Sequence, residues 1–259
     1  MSQSQNAYFV RVGDDRFVPT EHVSGAWNTA EQHFSPLGGL ITHAIETHTA
    51  ERGLQLSRIG FDILGTLAMD ECRVEVNTIR PGRTIELVEA VVQIGDRTAV
   101  RARAWSLVAG ETGAVEGGAA EPLPDPEGLE KKPLSEIWPG GYIASLDARP
   151  IAPAVPGRGA AWLSTDVELV AGEKAGPVAS FVKLLDTANG VAVRESPLEW
   201  MFPNVDLTVH LFRQPEGHWV GLDTTVAFGP TGLGLTSSVL HDRRGQVGRA
   251  EQSLTVRPM

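Results

Sequence analysis

The sequence predicts an α+β fold in which one unit, a long helix wrapped by an antiparallel β-sheet, is written twice in tandem. Three observations carry that expectation. A helix that opens on proline occurs in each half, about four β-patterned runs follow each helix, and a Gly, Pro, Ala and Glu-rich stretch separates the two series.

The first helix follows a short strand-bearing segment, Tyr8 to Phe17, and opens at Ser35-Pro36. Ser35 is placed to cap orphan backbone donors, and Pro36 fills a first-turn position that needs no amide hydrogen. Gly53 closes the helix. Leu37, Leu40, Ile41, Ala44, Ile45 and His48 recur at helical spacing, which leaves Thr42, Glu46 and Thr49 for a polar face. Four runs with period-two alternation come next: Ile59 to Ala68, Cys72 to Ile79, Thr84 to Ile94 and Thr98 to Val108. Hairpins are expected at Pro81-Gly82 and Gly95-Asp96. Residues 109–133, with the string AGETGAVEGGAAEPLPDPEG, show no apolar periodicity and read as a solvated connector. A boundary near Gly128 divides an N-terminal domain, residues 1–128, from a C-terminal domain, residues 129–259.

The second copy begins with the strand-bearing segment Tyr142 to Leu169 and a helix opening at Gly176-Pro177. Its stripe of Val178, Phe181, Leu184, Leu185, Ala188, Val191 and Ala192 is wide enough for burial over most of the circumference, and Asp186 sits inside it. The expected strands are Val205 to Arg213, His218 to Phe228, Leu233 to Leu240 and Val247 to Val256. Laying ARAWSL over RAEQSL sets Trp105 opposite Gln252. Matching Pro36 with Pro177 sets Ile45 opposite Asp186, and a one-residue slip would bring Glu46 there as a second site. Trp105 is expected to fill core or to line an apolar channel, leaving one site per chain.

A formal charge of −10 disfavours nucleic acid and anionic membrane as partners, which leaves small molecules. The single cysteine, Cys72, lies in an alternating strand, so neither a disulfide framework nor a thiolate metal site is expected. The start MSQSQNAYFV has no basic region or long apolar run, and no stretch reaches the roughly 18 apolar residues of a spanning helix. A cytoplasmic location is the expectation. No Gly-x-Ser-x-Gly elbow or Walker loop occurs, and Gly229, Gly232 and Gly234 lie between two strands rather than opening a helix. The seven histidines hold no pair at metal-ligand spacing beyond the loose His43 and His48.

The strings HFSPLGGLITHAIE, TIRPGRT, KLLDTANG, FPNVDLTVHLF and DRRGQVGRAEQSLTV span nearly the whole chain. In their order and in their spacing against the repeat, they resemble the acyl-CoA thioesterases of the thioesterase II type, which have a double hot-dog fold. The resemblance implies a catalytic trio from the second hot-dog: a helix aspartate, a hydroxyl residue and a glutamine. Carried over by position, these are Asp186 in KLLDTANG, Asn204 before NVDLTV's aspartate, and Gln252 in RAEQSL. Asn204 departs from the pattern, since its amide can hold water but cannot relay a proton as a hydroxyl can.

Thioester hydrolysis needs a positioned water, a base and donors for the developing oxyanion, and no cofactor or metal. Asp186 is the expected base, Asn204 and Gln252 hold its water, and a helix-proximal backbone amide polarises the carbonyl. A simpler reading pairs Asp186 with Lys183 on a solvated face, and lets Asn204 bend the strand start. Gln252 shares an apparently inward face with Ala250 and Leu254, where a polar amide requires a partner. Asp206 belongs to a structural polar network. Arg80 and Arg83, with Arg243, Arg244 and Arg249, are the cations available to coenzyme A phosphates, although turn arginines usually serve solubility. The acyl group is expected between the helices or beneath the sheet, against Phe181, Leu185 and Phe228. Two alternatives stay open: a hot-dog hydratase using His33 or His43 beside Glu46, and a non-catalytic acyl-thioester binder. Two hot-dogs in one chain imitate a dimer of single units, and further homo-oligomers through sheet edges are expected.

Overall fold

The computed structural model describes residues 6–259. The opening MSQSQ, read above for targeting signals, lies outside the described residues. The first half contributes β1 (Ala7–Arg11), β2 (Arg16–Pro19), α1 (Phe34–Thr49), β3 (Leu54–Ile63), β4 (Cys72–Arg80), β5 (Ile85–Ile94) and β6 (Arg97–Val108). The second contributes α2 (Gly141–Ala144), β7 (Asp147–Pro150), β8 (Arg158–Ser164), β9 (Glu168–Val170), α3 (Pro177–Val182), α4 (Ala188–Val191), β10 (Trp200–Met201), β11 (Asp206–Leu211), β12 (Val220–Phe228), β13 (Leu233–Asp242), β14 (Gly245–Thr255) and β15 (Arg257–Pro258).

The strands after each helix occupy the expected runs except β3, which spans Leu54–Ile63 rather than Ile59 to Ala68: Gly53, at φ +65°, turns the chain out of the helix directly into the sheet, and the strand ends five residues before Ala68. In β5 the inward positions are Glu86, Val88, Ala90, Val92 and Ile94, and in β14 they include Ala250, Gln252 and Leu254. Alternation places one side of each strand on its helix.

The two halves form one 13-stranded sheet, in the order β7-β8-β12-β13-β14-β11 continuing into β3-β6-β5-β4-β2-β1, with β9 on the outer edge. The seam is the antiparallel pair β11 and β3, with Leu207 opposite Phe61 and Val209 opposite Ile59. Equivalent strands therefore meet across a local two-fold arrangement. β9 crosses from the second half to pair in parallel with β1, and β10 pairs with β15 as a separate ribbon. Residues 109–133 carry no strand, and they lie along the second half: Trp162 Nε1 donates to Pro124 O at 2.7 Å, and Arg149 Nη1 donates to Pro126 O at 2.9 Å. No helix among the described residues is long and apolar enough to cross a membrane.

Three expectations about the helices are corrected. Thr42 and Thr49 face no solvent: α1 is covered on one side by its sheet and on the other by α3, and each hydroxyl donates to the carbonyl four residues back. The cap of α1 is His33, whose Nδ1 accepts from Ser35 N at 3.1 Å, rather than Ser35 itself. The second helix is not continuous from Pro177 to Ala192 but breaks after Val182, with a tight turn at Leu185–Thr187 before α4.

Glu46 explains how the two helices lock. Its carboxylate accepts from Val178 N at 3.1 Å and Ala179 N at 3.0 Å, capping α3 across the two halves. That employment, not a second active site, accounts for the residue. A Cβ on Gly176 would fall on the same carboxylate, although the glycine's φ of −65° suits any residue. Gly176→Ala is therefore expected to displace Glu46 and to lower stability by about 1–2 kcal/mol through the lost cap, measured by urea unfolding. An unchanged midpoint would show that the cap contributes nothing.

Candidate functional site

The break in the second helix creates the site. Asp186 lies in the turn between α3 and α4, where its amide lacks the partner an unbroken helix would give it and donates instead to Ser35 Oγ at 3.1 Å. Ser35 thus belongs to the other half's helix start, 151 residues away. The side chain of Asp186 is buried at 6% exposure. Its Oδ1 accepts two hydrogen bonds, from Asn204 Nδ2 and Gln252 Nε2, both at 2.8 Å.

Each amide is brought there by its strand. Gln252 is an inward position of β14, so the register that buries Ala250 and Leu254 also buries it. Asn204 bridges to Leu254 just before β11, and its Nδ2 also donates to Asp206 O at 3.0 Å. Both of its partners are acceptors, which fixes the amide's orientation. Asp206 accepts from Ser253 N at 2.6 Å, as befits the structural network expected of it.

Burial pushes the Asp186 carboxyl up to about 7, against the opposing pull of the Asn204 and Gln252 amides. Burial pushes His33 the other way, to about 3, so the ring is neutral. Because His33 Nδ1 accepts from the Ser35 amide, its proton is on Nε2, and the 3.7 Å approach of Nδ1 to Asp186 Oδ2 is no ion pair. Lys183 does not neutralise Asp186 either. Its Nζ donates to Val167 O at 3.1 Å, and burial lowers its pKa to about 8. Replacing Asn204 by Ala removes a bond that favours the ionised carboxylate, so any pH profile governed by Asp186 is expected to shift its midpoint upward from about 7. A midpoint that stays put or moves down would sever that link.

The carboxylate opens on a cleft of about 160 Å³ lined by Trp27, His33, Ile63, Thr66, Asn189 and Asn204. Both halves therefore build it. Ser35 and His33 carry a faint signal in the sequence, two polar residues just before a helix proline, but their contact with Asp186 is non-local. Gln252 Oε1 and Thr236 Oγ1, opposite each other in the β13–β14 register, are buried without a hydrogen-bond partner among the described residues.

Other expected site residues lie elsewhere. Phe181 and Leu185 are core residues at 4% and 0% exposure and line none of this cleft. Phe228 packs on Phe202 at 5.5 Å. Arg80 is held in the β4–β5 turn, its Nη1 donating to Ile85 O at 2.6 Å, and Arg83 is exposed in the same turn; neither lines the cleft. Arg243 is paired with Asp125 and Glu127, Arg244 is paired with Glu216, and Arg249 is an exposed β14 residue. Trp105 is not the counterpart of Gln252. The inward positions of β6 are Ala102, Ala104 and Ser106, so Trp105 points to the opposite face, near Arg80. No cluster of three or more His, Cys, Asp or Glu side chains able to hold a metal occurs among the described residues.

Comparison with known proteins agrees with this architecture. A hot-dog protein of unknown function from Alicyclobacillus acidocaldarius superposes with a TM-score of 0.76 at 14% identity, covering 97% of each chain. A tesB protein from Mycobacterium avium subs paratuberculosis gives 0.70 at 17% identity over 96% of each chain. An acyl-CoA thioesterase II, TesB2, from Mycobacterium marinum gives 0.65 at 14% identity over 97% of this chain and 96% of that one. Comparison with curated proteins finds no match. At these identities the superpositions establish the double hot-dog fold. Two family models match in sequence, an acyl-CoA thioesterase N-terminal domain over residues 23–107 and an acyl-CoA thioesterase C-terminal domain over residues 116–256. With both domains matched in order along most of its length, this chain belongs to the acyl-CoA thioesterase family.

Proposed function

We propose that the protein hydrolyses an acyl-CoA thioester to a free acid and coenzyme A, with Asp186 as general base. The observation that carries this reading is the division of labour on one buried carboxylate: Oδ1 is occupied by the two amides, and Oδ2 is left for water. Asn204 and Gln252 hold the base rather than the water, which alters their expected task. In the proposed sequence a water donates its proton to Asp186 Oδ2, and its oxygen adds to the thioester carbonyl. The tetrahedral intermediate then expels the thiolate, which takes the proton back from Asp186. A base with a pKa near 7 suits both transfers. Asp186's own amide is taken by Ser35, so the oxyanion requires another donor. His33, neutral with its proton on Nε2 and lining the same cleft, supplies one.

The hydratase alternative gains one observation, the approach of His33 to Asp186, and loses its earlier basis. Glu46 caps α3, and His43 Nε2 lies 3.2 Å from Glu173 Oε2. Free-thiol release from a panel of acyl-CoAs separates the readings. Release supports hydrolysis, a change in enoyl absorbance without release supports hydration, and binding with neither supports a non-catalytic module.

A further inference from the structure

A larger cavity lies beside the cleft. It is a groove of about 540 Å³ in the second half, walled by Leu134, Ile137, Ile151, Val155, Val191 and Val193. Its size lies within the range of small-molecule sites, and its walls are mostly apolar, with Glu130, Lys132 and Glu136 also lining it. Gly190 of α4 belongs to this groove and also, with Asp186 and Asn189, to a narrow space of about 20 Å³ beside the carboxylate. Gly190 therefore lines both spaces.

The indole of Trp138 stands at that junction. It is buried at 4% exposure and packs edge-on to Trp27 and Phe202, with ring centroids 4.9 and 6.1 Å away. Its Nε1–H has no hydrogen-bond partner among the described residues. That atom faces the glycine: a Cβ at position 190 would come within 3.3 Å of Nε1. A buried indole N–H ordinarily finds an acceptor, and none is supplied by the protein.

We propose that the substrate's acyl group passes Gly190 into this groove and carries an oxygen near the thioester that accepts from Trp138 Nε1. The substrate class is a hydroxyacyl- or oxoacyl-CoA with an apolar tail. Hydrophobic burial along the groove retains the tail, and the indole N–H reads the oxygen. This inference rests on the thioesterase reading of Asp186.

The test uses the full-length chain carrying Asp186→Asn, so that ligands are not consumed, and titrates butyryl-, decanoyl-, β-hydroxydecanoyl- and γ-hydroxydecanoyl-CoA by calorimetry. One of the hydroxylated ligands is expected to bind about three- to tenfold more tightly than decanoyl-CoA, the worth of a single neutral hydrogen bond. Adding Trp138→Phe, which keeps a ring but removes the donor, erases that preference. Adding Gly190→Ala is expected to weaken decanoyl-CoA relative to butyryl-CoA by roughly tenfold, because the methyl group overfills the passage. Gly190 is helical and not among the positive-φ glycines, so alanine is compatible with its backbone. Equal affinity for plain and hydroxylated ligands, or a decanoyl-to-butyryl ratio untouched by Gly190→Ala, overturns the proposal. Thiol release by the native chain is measured alongside. Its absence with the binding preferences intact would remove the hydrolase reading and leave the groove.

Discussion

Asp186→Asn is expected to lower thiol release by roughly 10²–10⁴-fold while making the folded chain more stable at neutral pH. The substitution is nearly isosteric. Asn keeps an oxygen in the place of Oδ1, so the bonds from Asn204 and Gln252 survive, but its amide cannot accept a proton from water. The native rate should rise with pH to a half-maximum near 7 and then level, because only the ionised carboxylate acts as base. Stability runs the other way. The carboxyl titrates near 7 when folded and near 3.8 when free, so between those values the folded chain holds a proton that the unfolded chain has lost. Stability therefore falls as pH rises from about 4 to about 7, and a gap of about three pH units corresponds to a loss on the order of 4 kcal/mol. Asn carries no such burden. Thermal unfolding of the two chains should nearly coincide at pH 4 and separate by pH 8, with the variant higher. A variant that hydrolyses at the native rate would remove Asp186 from the chemistry, and coincident melting at pH 8 would mean that the carboxylate is not desolvated.

What the sequence could show follows from the range of the interactions involved. Strand register is local, so alternation alone put Gln252 inward beside Ala250 and Leu254, and the turn glycines Gly53 and Gly95 mark real left-handed positions. The Trp105 alignment failed by a single residue, which in a strand moves a side chain to the other face. The helix break after Val182 was hidden because Val178, Phe181, Leu184, Leu185, Ala188, Val191 and Ala192 fit one apolar helical stripe. Beyond the break the Asp186 amide donates to a hydroxyl from the other half, Ser35, a partner that local propensity does not encode. Glu46 illustrates the same point. A polar residue on a helix face reads as solvated until another helix start is docked against it.

Arg213→Ala is expected to destabilise the chain by about 3–5 kcal/mol, because it strands a buried carboxylate. Asp242 is buried at 1% exposure and accepts from Arg213 Nη1 and Nη2, both at 2.6 Å, and from the amides of Glu216 at 2.9 Å and Arg244 at 2.8 Å. Arg213 also donates to Gln246 O and Gly245 O, so one guanidinium fastens the end of β11 to the β13–β14 turn. Burial works to raise the carboxyl's pKa, and the guanidinium with the two amides outweighs it, holding the group below the usual carboxylate range. A depressed pKa contributes stability that is complete above the unfolded value and is lost as pH falls through the folded one. The deficit of the alanine variant should accordingly be full at pH 7 and shrink in acid, where Asp242 protonates and no longer needs the cation. Pairing Arg213→Met with Asp242→Asn should recover most of the loss, since neither partner then buries a charge. Urea unfolding at pH 7 and pH 4 measures both differences. A deficit independent of pH would assign the effect to the arginine's packing and its backbone bonds. The outcome bears on catalysis because β14, anchored by this pair at its start, carries Gln252 to Asp186 near its other end.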